Sequence, residues 1–92
     1  MKNETKMSSK VKGQIKRALA RCEAEMSKKS YVDLYWDNRA CGLRLCLRDG
    51  LERTAQVLAR SIELMECHGR FSTATLQAEK DVLSDILTKW AI

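Results

Sequence analysis

The apolar pattern of this chain predicts an α+β fold, predominantly helical, ordered α-β-β-α-α with one antiparallel hairpin packed by helices. Three observations carry that reading. Apolar residues recur at helical spacing over residues 9–28 and again after residue 49, they alternate over 31–36 and 43–48, and 92 residues leave room for one core. At 45% hydrophobic and 32% charged residues, the chain has enough apolar surface to fold and too much for a disordered segment. A single domain over 1–92 is expected, with residues 1–8 as a flexible basic N-terminus.

The first helix is expected from Ser9 to Lys28, where Val11, Ile15, Leu19, Cys22 and Met26 follow one another at steps of three and four. Gly13 weakens its first turn by about 1 kcal/mol against Ala. Residues 31–48 admit two readings. As a helix they place Val32, Trp36, Ala40, Leu43 and Leu47 on one side, with Ser30 and Asp33 as a cap. Against it stand Gly42 in the interior, Asp37 and Asn38 in the middle, and the strand-favouring Tyr31, Val32, Tyr35 and Trp36.

As two strands turning at 37–42, Val32, Leu34 and Trp36 face Leu47, Leu45 and Leu43, so both apolar sets fall on one face. The outer face then pairs Tyr35 with Arg44 and Tyr31 with Arg48. The hairpin accounts for more of the pattern, and the alternative is an all-α helical bundle. Asp49 and Glu52 have the spacing of a capping box opening the next helix, with Leu51, Ala55, Leu58, Ile62 and Met65 buried and a stop at His68 and Gly69. Ser72 is placed to cap the last helix, Phe71 and Leu76 to form a hydrophobic staple. Leu76, Leu83, Ile86, Leu87 and Trp90 make its inner face.

The net charge of +5 is unevenly distributed. Residues 1–30 hold nine Lys or Arg against three Glu, whereas residues 31–92 hold eight cations against nine acids. An excess confined to the first third points to an acidic partner for that third, against the plainer reading of a solvated face. Lys10, Gln14, Arg17, Arg21 and Lys28 follow steps of four, three, four and seven on the first helix, where long cationic side chains could track phosphates or carboxylates. Tyr31 and Tyr35, on the outer hairpin face beside Arg44 and Arg48, are the further interface candidates, since Tyr and Arg are frequent at binding hot spots. Trp36 and Trp90 are assigned to the core, because so small a domain needs its largest side chains inside.

No catalytic, cofactor or metal residues are assigned. Cys41 and Cys46, separated by four residues, with Cys67 and His68 offer thiolates and an imidazole for zinc, but adjacent residues at a helix end point apart. Cys22 and Cys46 lie on or near apolar stripes, where cysteine is a small buried hydrophobe. His68, the one histidine, cannot act on its sequence neighbour Cys67 across a helix turn. No phosphate-binding glycine loop, HExxH or GxSxG motif occurs. The start lacks a secretory apolar region and no run reaches the roughly 18 to 20 apolar residues that span a bilayer. A cytoplasmic location with reduced cysteines and no membrane contact is therefore expected.

Residues 43–76, an alternating strand and two helices divided by Gly69 and Arg70, resemble the outline of a ribbon-helix-helix DNA-binding domain. The resemblance implies that strands of two subunits pair and enter the major groove, with Arg44, Cys46 and Arg48 at the reading positions. The helix from Gly50 to His68 is several residues longer than that family's, and a second apolar strand precedes the first. Gly69, Phe71 and Ala74 are similar to the turn of a tetratricopeptide hairpin. Ala78 and Asp81, however, replace the residues that repeat requires, and no second copy follows 34 residues away. Each likeness covers under half the chain and assigns no family.

Two functions are compatible with these residues. In one, the chain is a non-catalytic adaptor, inhibitor or regulator, of the kind phages and plasmids use as accessory factors, binding a protein with an acidic surface. In the other it binds nucleic acid, through the basic helix or the strand arginines. A free hairpin edge, unprotected by Lys or Pro, would also allow a homodimer.

Overall fold

The structure, a computed structural model, describes residues 7–69 and 72–90. Four helices account for most of them: α1 (Ser9–Ser27), α2 (Leu34–Asp49), α3 (Leu51–His68) and α4 (Thr73–Asp85), the last running into a π-helical turn at Ile86–Trp90. Side chains set the starts. Ser8 Oγ accepts the Val11 N–H at 3.1 Å, the Asp33 carboxylate accepts the Tyr35 N–H at 3.1 Å, and Ser72 Oγ accepts the Thr75 N–H at 3.0 Å. Each satisfies a backbone donor that the first helical turn leaves free. The expected stop at Gly69 is present, with φ 64° at the end of α3. Of the expected flexible N-terminus, residues 1–6 lie outside the described residues, while Ser8 caps α1 and Met7 packs on the core.

The hairpin is not there. Among the described residues there is no strand, and 34–49 form α2, so the fold is an all-helical bundle rather than α-β-β-α-α. Three features that argued against a helix serve this one. Asp37 sits in the first turn, where a negative charge meets the positive end of the helix dipole. Asn38 donates through Nδ2 to the Leu34 carbonyl at 2.7 Å and to Thr75 Oγ1 at 3.2 Å, tying α2 to α4. Gly42 is a point of close approach, since a Cβ there would stand 3.2 Å from both methyl carbons of Val82. The period-2 pattern does not survive either: Leu34 is 46% exposed, whereas Ala40, Leu43 and Cys46 are fully buried at helical spacing.

Helix α2 is the centre of the bundle, packing on α1, α3 and α4. The core draws on every helix, through Ile15 and Cys22 of α1, Leu43 and Cys46 of α2, Leu58 of α3, and Val82 of α4 with Ile86 and Trp90 beyond it. The expected capping box at Asp49 and Glu52 does not form. Asp49 is the last residue of α2 and takes the Arg48 guanidinium, and α3 opens after Gly50 without a side-chain cap. Gly50 alone turns the chain between them, at φ 92°, a conformation only glycine adopts cheaply. On the last helix, Ala78, Val82 and Ile86 are buried at steps of four, which turns Leu87 outward at 60% exposure instead of inside. The proposed staple involves Phe71, which lies outside the described residues.

With no strand, the ribbon-helix-helix outline fails, and so does a homodimer through a hairpin edge. No helix among the described residues is long and apolar enough to cross a membrane.

Candidate functional site

A groove runs along the seam of α1 with α2 and α4. It consists of two adjoining hollows of about 520 and 500 Å³ that share Arg17, Ala18, Arg39, Asp85 and Lys89. Helix α1 supplies one wall because Gln14, Arg17 and Arg21, at steps of three and four, fall beside its buried stripe of Ile15 and Cys22. Helix α2 supplies Tyr35, Trp36 and Arg39. Asp81 and Asp85 come from α4, and Lys89 from the π-helical turn.

Arg39 donates to Asp85 at 2.8 Å, with both side chains about 85% buried, and Lys89 reaches the other oxygen of Asp85 at 3.3 Å. One carboxylate thus answers two cations. Asp81 is fully engaged as well, accepting the Tyr35 hydroxyl on one oxygen and Gln77 Nε2, at 2.8 Å, on the other. Burial, with the hydrogen bond and charge of Asp81, pushes the Tyr35 hydroxyl up to about 12, which keeps it protonated and donating. At the far end the Trp90 indole N–H donates to Gln14 Oε1 at 3.0 Å. Near the middle the Arg21 guanidinium stands 6.0 Å from the centre of the Trp36 ring.

Four cations and two carboxylates line the groove, and the surplus belongs to Arg17 and Arg21. Neither has an acid within 4 Å among the described residues, nor do Lys10, Lys12 and Lys16 of the same helix. Arg39 Nη1 is buried and has no hydrogen-bond partner among the described residues.

Of the nine candidate residues, Gln14, Arg17, Arg21 and Tyr35 meet in this groove. The others do not join them. Lys10 is exposed near the start of α1, and Lys28 pairs with Glu25 at 3.3 Å. Tyr31 lies in the α1–α2 link, 65% exposed, with Lys29 Nζ 5.9 Å from its ring. Arg44 and Arg48 are on a helix rather than an outer strand face; Arg44 reaches back to Glu23 at 3.5 Å and Arg48 folds onto Asp49 at 3.0 Å. Arg39, Asp85 and Lys89 were missed. Arg39 stands three residues after Trp36, so a helical reading of 34–49 would have put it on the groove side, whereas the hairpin left it in a turn.

The cysteines are spread out. Cys22 and Cys46 are buried, Cys41 and Cys67 exposed, and none is in a disulfide. No three His, Cys, Asp or Glu side chains among the described residues are grouped to hold a metal ion. No family model, curated protein or solved structure matches the chain.

Proposed function

We propose that this chain is a non-catalytic interaction module, an adaptor, inhibitor or regulator, which receives an acidic segment of a protein partner along α1 and its groove. The observation that carries this reading is the set of five α1 cations without a carboxylate partner among the described residues, two of them over a groove whose own acids are already engaged. A merely solvated basic face needs no such arrangement. The reading includes a cytoplasmic location, where the four cysteines would stay reduced.

The test uses polyglutamate and a DNA duplex as probes at two salt concentrations. Polyglutamate should bind the wild type and weaken steeply as salt rises, since the screening length falls from about 10 Å at 0.1 M to about 3 Å at 1 M. The double reversal Arg17→Glu, Arg21→Glu should cost at least about tenfold in affinity, while the domain stays folded because both side chains are on the surface. Equal binding by wild type and reversal variant would sink the proposal. Tighter binding of the duplex, reduced uniformly across sequences by the same reversal, would instead assign the face to nucleic acid phosphates.

A further inference from the structure

We infer that the groove between α1 and α4 is a seat for a phosphate monoester, carried on a phosphorylated side chain of the partner. This rests on the acidic-partner reading and makes it specific. Charge comes first. Asp85 is shared by Arg39 and Lys89, and both oxygens of Asp81 are occupied, so Arg17 and Arg21 leave two positive charges unanswered on one wall. A carboxylate brings one negative charge and two acceptor oxygens. A phosphate monoester brings roughly −1.5 to −2 and three acceptor oxygens within one group, which matches the surplus.

Donor geometry points the same way. Arg17 and Arg21 are i, i+4 neighbours on one helix, about 5 to 6 Å apart at Cβ, and each presents forked N–H donors suited to paired oxygens. Arg39, on the opposite wall, is held on Asp85, so Arg17 and Arg21 are the forks left open to a ligand. Trp36, partly buried beneath Arg21, gives the carrier side chain an apolar surface to lie on. A hollow of about 520 Å³, open along one side, admits a side chain projecting from a partner.

The probe is the peptide acetyl-Gly-Gly-phosphoserine-Gly-Gly-amide, compared with its Ser and Glu-Glu counterparts and with inorganic phosphate. Nitrogen-15 NMR follows the indole N–H of Trp36 and Trp90 and the Nε–H of Arg17 and Arg21. The phosphopeptide should shift these signals saturably and bind at least tenfold more tightly than each comparator. Arg17→Glu with Arg21→Glu should abolish the shifts, and Arg17→Lys with Arg21→Lys, which keeps the charge but removes the forks, should weaken binding at least threefold. Arg53→Glu with Arg60→Glu, exposed on α3 away from the groove and from α1, should bind as wild type. A Glu-Glu peptide as tight as the phosphopeptide overturns the phosphate assignment. Inorganic phosphate as tight as the phosphopeptide overturns the side-chain source. Equal loss in both reversal variants overturns the seat itself. The acidic-partner reading fails separately, when polyglutamate does not bind the wild type.

Discussion

Tyr35 shows how far one residue's role depends on its backbone. On a strand it would stand outside as an interface anchor, but on α2 it turns inward and donates its hydroxyl to Asp81 of α4. Burial is the main reason its proton is held up to about 12 against an ordinary 10.0, with Asp81 reinforcing it. Because the folded value lies above the unfolded one, the stability this proton confers is complete below pH 10 and is lost as pH rises towards 12. Other effects of high pH act on both proteins alike, so the measurement is a difference. Chemical denaturation of wild type and Tyr35→Phe between pH 8 and 12 should show the wild-type advantage shrinking across pH 10 to 12. A constant difference would mean the hydroxyl contributes nothing through its proton.

At the scale of elements, two glycines of the same chemistry should respond oppositely to alanine. Gly13 lies inside α1, where an added Cβ meets only the end of the flexible Arg17 side chain, at 3.6 Å. Gly13→Ala should therefore stabilise the protein by up to about 1 kcal/mol through helix propensity. Gly42 faces Val82, which is fully buried and β-branched, so its methyls cannot swing aside. Gly42→Ala should prise α2 from α4 and destabilise by about 1 kcal/mol net of the same propensity gain. Thermal melts of the two variants check both signs. Gly42 also explains what the sequence hid. The outer helices were legible because their apolar spacing and caps are local, and Ser72 and Gly69 acted as read. Between them, a glycine needed for inter-helix contact is indistinguishable in sequence from a helix breaker, and Asn38 finds its second acceptor on a helix 37 residues away. The site followed the same division: Arg17 and Arg21 could be read from one helix, whereas Arg39 and Lys89 required the bundle.

For the whole molecule, the cysteines divide into surface groups and reporters of unfolding. Cys41 and Cys67 are exposed, while Cys22 and Cys46 sit in the core, where burial raises both thiols, Cys46 to about 11. A thiol that is both enclosed and protonated reacts only when the core opens. Labelling at pH 8 with an aromatic disulfide reagent should modify two thiols at once and the other two at the slow rate of opening, with all four reacting together in denaturant. Four fast thiols in the native protein would contradict the packing of α1 on α2.

The bond between Trp90 and Gln14 spans 76 residues, and that separation sets a clock. Synthesis proceeds at about 5 to 20 residues per second, so Gln14 waits roughly 4 to 15 s for its partner to be made. During that interval Lys89 and Trp90, which line the far end of the groove, do not yet exist. The groove is therefore the last feature of the bundle to be completed, closed only once Lys89 and Trp90 of the π-helical turn have been made.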